Sequence, residues 1–218
     1  MQITLLHATP LEICSNAIRT CWQSFDKSDN GGERDLALID RVGNKNKHSS
    51  TLEHLFYNFY IKGISRACLQ ELARHRMASL SVKSTRYTLK ELKNCESFLP
   101  LDSRNLARAQ QFLVFCGEPK VNEASVRALE NLRILLREGI SNDLAKFCMP
   151  ESYKTELAWS INARSLQNFL SLRSARSALW EIQQLASAIF EALPQSHKYL
   201  FTHCLEQSPT PKNPTPHA

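Results

Sequence analysis

Fourteen consecutive residues, Arg74 to Tyr87, place the hardest constraint on this chain. They concentrate three arginines, one lysine, one histidine and three serines directly behind an apolar helical pattern. Ile64, Ala67, Cys68 and Leu72 fall at helical spacing and predict a helix over Ile64–Ala73. The fold must therefore deliver Arg74-His75-Arg76 rigidly at that helix's end. Arginine presents a planar fork suited to bidentate capture of phosphate and to stacking on flat rings. The cluster points to a site for phosphorylated, planar ligands, with a solvated basic patch or an RNA-binding patch as the plain alternative. If Arg74 and Arg76 are still helical they lie about 200° apart and serve different ligands or different sides of an interface. Ser84 and Arg86, if extended, point to the same side and can grip one phosphate together.

The other elements follow from periodicity. Gln2 to His7 reads as a strand, and Pro10 opens a helix through Leu11, Cys14, Ala17, Ile18 and Cys21. Ser28 to Gly32 breaks the chain before a second helix through Leu36, Ile39 and Val42, and Gly43 to Ser50 reads as a loop carrying His48. His54 to Ile61 is rich in aromatics and reads as a buried strand ending at Lys62-Gly63. Leu101 to Phe115 and Val121 to Arg137 read as two amphipathic helices turning at Gly117-Glu118-Pro119, and a short helix runs from Asn142 to Met149-Pro150. Tyr153 to Ile161 alternates, which places Tyr153, Thr155, Leu157, Trp159 and Ile161 on one face of a strand. Asn162 is positioned to cap the helix that follows, and a long helix is expected over Ser174–Leu193. The expectation is α+β: a single domain over residues 1–207, with a small mixed or antiparallel sheet and many helices. Residues 208–218 hold four prolines and almost nothing apolar, and read as a disordered tail.

Two further stretches carry polar chemistry. In Asn162 to Arg173, Arg164 and Asn168 are four apart and present donors side by side on a helix. Arg173 follows Phe169-Leu170-Ser171-Leu172, and an arginine buried there must find an anion or a polar ring. A structural salt bridge is the simpler reading. In His48 to His54, three hydroxyls and two imidazoles precede a strand and can line a cleft or simply cap and turn the chain. His48, Glu53 and His54 match no standard metal-ligand spacing.

Composition excludes several classes. No apolar run approaches the ~20 residues needed to span a bilayer, and Met1 to Leu11 lacks the pattern of a signal peptide, so the expected compartment is the cytoplasm. Seven scattered cysteines without a C-x-x-C pair fit neither a disulfide framework nor a zinc site, and signal no catalytic thiol. Only six glycines are present, with no Gly-x-Gly-x-x-Gly and no Walker loop, so any dinucleotide must be held by side chains. The net charge of +6 favours anionic partners without naming them.

Arg-His-Arg, seven residues, then Ser is the signature of the flavin-dependent thymidylate synthases, and Arg74 to Ser84 match it, with Arg86-Tyr87 following. Asn162-Ala163-Arg164-Ser165-Leu166, Asn168-Phe169-Leu170, Leu172-Arg173, Glu53-His54 and Trp180-Glu181-Ile182 also match. The chain resembles that family from about Ser24 to Phe190. The resemblance implies a ThyX-like fold assembled as a homotetramer with active sites at subunit interfaces. It also implies an enzyme that converts dUMP to dTMP with FAD, NADPH and methylenetetrahydrofolate. By position, Arg74, His75, Arg76, Asn162, Arg164 and Asn168 are implied to hold FAD, with Ser24, His48, Ser50 and Val82. The dUMP site is implied at Glu71, Arg74, Val82, Lys83, Ser84, Thr85, Arg86, Lys146 and Arg173, with Arg173 the catalytic group at the uracil edge. No metal, membrane or nucleic-acid partner is implied; the alternative is a nucleic-acid-binding protein that uses the same arginines on phosphates. The chain departs from many relatives at Ser81 and from some at Ser177 and Leu179. It also carries Lys146 where a phosphate-contacting arginine is found and Glu71 where glutamine is found.

Overall fold

The structure, a computed structural model, describes residues 1–205. The proline-rich tail expected over 208–218 lies outside the described residues. Four strands, β1 (Gln2–Ala8), β2 (Phe56–Ser65), β3 (Ala78–Val82) and β4 (Lys154–Asn162), form one sheet in the order β1-β2-β4-β3. Backbone hydrogen bonds at the strand ends set the directions. Thr9 N donates to Phe56 O at 2.9 Å, Ala163 N to Leu55 O at 2.8 Å and Lys83 N to Glu156 O at 2.9 Å. Each bond joins the end of one strand to the start of its neighbour, so all three pairs are antiparallel.

Ten α-helices, with further 3₁₀ and π segments, complete the described fold: α1 (Leu11–Thr20), α2 (Glu33–Ile39), α3 (Arg66–Ala73), α4 (Thr85–Thr88), α5 (Lys90–Lys93), α6 (Ser103–Ala109), α7 (Pro119–Arg137), α8 (Asn142–Ala145), α9 (Ala163–Arg173) and α10 (Trp180–Ala192). Their starts follow capping chemistry. Asp102 accepts from Asn105 N at 2.7 Å ahead of α6, and Glu118 accepts from Lys120 N at 3.1 Å with Pro119 opening α7. Asn162 Oδ1 accepts from Ser165 N at 2.9 Å, so the expected cap on α9 is present. α2 continues into a widened π-type turn over Asp40–Lys45, and Ser49–His54 forms 3₁₀ turns, so the expected loop over Gly43–Ser50 is largely helical.

By proximity the described residues divide into two compact units. One comprises Met1–Ile61, Glu71–Ser81 and the chain from Leu157 onward; the other comprises Lys62–Gln70 and Val82–Glu156. The first is built around a chain of rings. Phe59 lies 6.0 Å from Trp159, Trp159 5.1 Å from Phe169, and Phe169 5.0 Å from the His75 imidazole. Phe59, Trp159 and Phe169 are fully buried, and rings at these separations add attraction beyond the area they remove from water. The same unit buries Arg19 against Asp35. Arg19 Nε donates to Asp35 Oδ1 at 3.0 Å, and the other carboxylate oxygen accepts from Ser28 Oγ at 2.7 Å and Gly31 N at 3.0 Å. Burial alone would raise this carboxyl, but the hydrogen bonds from Gly31, Arg19 and Ser28 outweigh it and hold the group down at about 2.

The second unit packs Leu92, Phe98, Leu113, Val126, Leu129 and Leu132 around α7. Its buried ion pair is Glu130–Arg133, one turn apart on that helix, at 2.8 Å and 2.7 Å. The Arg133 hydrogen bonds, joined by Phe98 N and Ser97 Oγ, hold Glu130 down at about 2 against the opposing effect of burial.

Four sequence expectations are corrected here. β2 runs through Lys62-Gly63 to Ser65, with Gly63 at φ +80° inside it, and its burial alternates, leaving Phe56 and Tyr60 exposed. The helix after it begins only at Arg66. The helix expected over Leu101–Phe115 is the short α6. Its second half instead joins the lead-in to β4: Leu113 bridges Tyr153, Val114 N donates to Ser152 O at 2.8 Å, and Lys154 N to Phe112 O at 2.7 Å. The helix expected over Ser174–Leu193 begins at Trp180, because Ser174 to Leu179 make irregular turns.

Candidate active site

In the first unit, α3 stops at Ala73 and Arg74 to Met77 cross in a turn before β3 starts. The helical relation considered for Arg74 and Arg76 therefore does not apply. Arg74 and Arg76 are exposed and His75 between them is buried. All three line a cavity of about 610 Å³. α9 supplies the facing wall. Arg164, Asn168 and Leu172 recur every four residues, so they form a stripe on one helical face, and all three line the cavity. Asn162, Ser165 and Arg173 line it as well, as does Glu53, whose carboxylate takes Arg164 NH1 at 2.7 Å.

Arg173, the last residue of α9, is held on three sides. Its Nε donates to His75 Nε2 at 2.9 Å, NH1 to Glu71 Oε2 at 2.8 Å, and NH2 to the Glu71 backbone oxygen at 3.1 Å. The side chain is 15% exposed. Arg173 thus forms the salt bridge of the simpler reading and also donates to the His75 imidazole. Burial lowers the His75 imidazole to about 4, with the charges of Arg173 and Arg74 pushing the same way and Glu71 opposing. At neutral pH the ring is uncharged.

In the second unit, the extended relation considered for Ser84 and Arg86 is not met, because only Ser84 is extended. Ser84 precedes α4 and Arg86 lies within it, with Thr88 Oγ1 donating to Ser84 O at 2.9 Å. Arg86 instead meets Asp143, with Nε at 2.8 Å and NH2 at 3.0 Å. Lys146 Nζ lies 3.8 Å from the same carboxylate, and Asn142 Nδ2 donates to Arg86 O at 2.7 Å. Lys83 pairs with Glu156 at 2.9 Å. Val82 and Ser84 are exposed and Thr85 is half-buried.

Ser24, His48 and Ser50 do not line the cavity. Ser24 is half-buried, and its carbonyl accepts from Arg19 NH1 at 3.1 Å. His48 is exposed, and its carbonyl accepts from Thr51 N and Thr51 Oγ1 ahead of the 3₁₀ turns that hold Ser50. The sequence reading assigned no role to Glu53, Ser165, Met77 or Leu172 in the cavity, or to Asp143. Ser165 and Leu172 were recoverable from helical spacing. Glu53 and Asp143 meet their arginines across 111 and 57 residues, and no local pattern signals such partners. Burial pushes the Cys14 thiol up to about 12 and also raises Cys95 and Cys204, the opposite of activation.

Residues 4–197 match the family described as Thymidylate synthase complementing protein. A flavin-dependent thymidylate synthase of Campylobacter jejuni (strain RM1221) is 67% identical over 207 residues, covering 95% of this chain and 99% of that protein. The chain is a member of the flavin-dependent thymidylate synthase family. Another relative of that name, from Wolinella succinogenes, is also 67% identical over 207 residues, with the same coverage of both chains. The fold agrees with the family's solved structures. The crystal structure of the flavin-dependent thymidylate synthase ThyX from Helicobacter pylori complexed with FAD and dUMP superposes with a TM-score of 0.92. It is 67% identical, over 94% of this chain and 100% of that one. Among the described residues of this family member, no helix is long and apolar enough to cross a membrane.

Proposed function

We propose that this chain catalyses the reductive methylation of dUMP to dTMP, with methylenetetrahydrofolate as carbon donor and FAD, reduced by NADPH, as hydride carrier. The observation that carries this reading is Arg173, fixed on three sides at the wall of a cavity whose other cations are Arg74, Arg76 and Arg164. Three arginines with Asn162, Ser165 and Asn168 suit a group that has phosphates and a flat polar ring, so the lining fits FAD. Arg74, His75, Arg76, Asn162, Arg164 and Asn168 would hold it; Ser24, His48, Ser50 and Val82, none of which lines this cavity, would complete the site across the subunit interfaces of the proposed homotetramer. When bound, the flavin supplies the hydride.

The chain's own groups then bind and orient dUMP. Ser84, Thr85 and Arg86, with Val82, Lys83 and Lys146, would hold the phosphate. Arg173 would face the uracil edge, with Glu71 and Arg74 beside it. A preset guanidinium there stabilises negative charge developing on the ring by charge-assisted hydrogen bonds and needs no reorganisation at the moment of reaction. No cysteine nucleophile is required, in keeping with the Cys14 and Cys204 thiols, which burial keeps protonated. We further assign the activity to residues 1–207 of a cytoplasmic homotetramer with its active sites at subunit interfaces.

The nucleic-acid reading is disfavoured by pairing. Arg86, Lys83, Arg164 and Arg173 each meet a carboxylate, which removes much of the field that a phosphate backbone needs. The deciding experiment is tritium release from dUMP labelled at C5, with FAD, NADPH and methylenetetrahydrofolate supplied and each omitted in turn. Release that needs all three, with dTMP formed, supports the proposal. Folded, flavin-loaded protein that releases no tritium overturns it.

A further inference from the structure

The Arg173 guanidinium carries five N–H donors on a rigid plane. Three are committed: one to His75, one to the Glu71 carboxylate and one to the Glu71 backbone oxygen. One N–H is left on each terminal nitrogen. Glu71 touches only those terminal nitrogens, so the Nε–H has His75 as its partner, a third point that fixes the plane together with the two from Glu71. We infer that His75 is a positioning residue for Arg173: its Nε2 accepts the Arg173 Nε–H and so aims the two remaining N–H groups at the substrate ring. The inference rests on the function proposed above and names the group on which its electrostatic step depends.

Three observations support it. First, His75 is itself fixed. Its backbone N donates to Leu72 O at 3.1 Å, and its ring stands edge-on to Phe169 at 5.0 Å and 78°. Second, the bond has one possible polarity. Arginine nitrogen only donates, so Nε2 must offer a lone pair and the proton must sit on Nδ1. An imidazolium would put a second donor, and a second positive charge, against Arg173. The charged groups facing the ring are Arg173, Arg74 and Glu71; with burial, the two arginines keep it neutral against the pull of Glu71. Third, the remaining Nδ1–H is a donor that this role does not use. A contact of His75 with the flavin is therefore compatible with the inference and distinct from it.

The test uses the FAD-loaded protein and two variants. His75→Gln places an amide oxygen near the position of Nε2 and keeps an acceptor, whereas His75→Leu keeps bulk and removes it. We expect His75→Leu to lower kcat for tritium release about 100-fold at saturating dUMP and FAD, and His75→Gln to recover most of that loss at equal flavin absorbance. Equal losses in the two variants, or loss in neither, overturn the inference. So does an effect that saturating FAD abolishes, which would mark His75 as a flavin contact alone. A second readout needs neither turnover nor a variant: ¹⁵N shifts of histidine-labelled protein between pH 6 and 8. A protonated Nδ1 and an unprotonated Nε2 at His75 support the inference, and the opposite tautomer overturns it. If the unaltered protein forms no dTMP, the proposed reaction fails, while the tautomer still reports whether His75 accepts from Arg173.

Discussion

Arg86 and Asp143 form a two-point ion pair, with the guanidinium Nε and a terminal nitrogen at 2.8 Å and 3.0 Å from the two carboxylate oxygens. The same carboxylate draws Lys146 to 3.8 Å. One acid thus balances two of the cations assigned to the dUMP phosphate, and a phosphate arriving there competes with a carboxylate for the same forks.

Asp143→Asn keeps an acceptor for Arg86 and removes that competing charge. Because the pair is half exposed, the effect is modest, about 0.5–1 kcal/mol. The expected outcome is a KM for dUMP lowered about 2- to 5-fold with kcat unchanged, read from tritium release at varied dUMP. A raised KM would show that Asp143 matters instead as the scaffold for Arg86.

Arg173→Ala removes the anchored guanidinium and leaves the cavity's other arginines, Arg74, Arg76 and Arg164, in place. Losing one such preset donor typically costs about 3–4 kcal/mol of barrier. Turnover at saturating substrates is expected to fall about 100- to 1,000-fold while the protein retains its yellow flavin band. Near-normal turnover would remove Arg173 from the chemical step.

Ser84→Ala deletes one hydroxyl at the proposed phosphate end, far in bonding terms from the reacting carbon. Its loss is expected to raise the KM for dUMP more than it lowers kcat, the signature of uniform binding. A large fall in kcat at unchanged dUMP affinity would contradict the assignment.

Asp35→Ala leaves Arg19 buried without its counter-ion, a change that typically costs about 3–5 kcal/mol. In a chain of this size that lowers the thermal midpoint by on the order of 10 °C. The double variant Arg19→Met/Asp35→Leu is expected to recover part of this, because no lone charge then remains buried. Calorimetry on the single and double variants distinguishes the outcomes.

Acid is expected to erode stability in two windows. Neutral His75, lowered to about 4, stabilises the fold fully above about pH 6.5, the ordinary histidine value. That contribution is lost as pH falls from there toward 4, because the unfolded chain takes up the proton first. Asp35 and Glu130, both held at about 2, contribute fully above about pH 4 and lose their contribution between there and 2. Urea unfolding across pH should show both slopes. His75→Gln should flatten the upper one in part, since burial also lowers His197.

What the sequence made legible was whatever rests on near neighbours. The alternation of Thr155, Leu157, Trp159 and Ile161 predicted the buried face of β4, and Asn162 predicted its cap. Helical spacing put Arg164 and Asn168 on one wall. Long-range pairing was not legible. The periodicity of Leu101–Phe115 fits a helix, yet Phe112 to Val114 give their backbone bonds to the chain entering β4, and tertiary pairing overrides local preference. Arg86 illustrates the same limit, since α4 and Asp143 decide where it points. The grip of Glu71 and His75 on Arg173 links positions about a hundred residues apart and leaves no local trace.

The ring chain from Phe59 through Trp159 and Phe169 to His75 ends at the cavity wall. Close-packed rings do not absorb a change of volume at one link without shifting the next. A substitution at Phe59, which does not line the cavity, is therefore expected to tilt the imidazole that holds Arg173 Nε. The His75 wall of the pocket thus takes its tilt from buried rings on β2, β4 and α9, and repacking those rings retunes the group that holds Arg173.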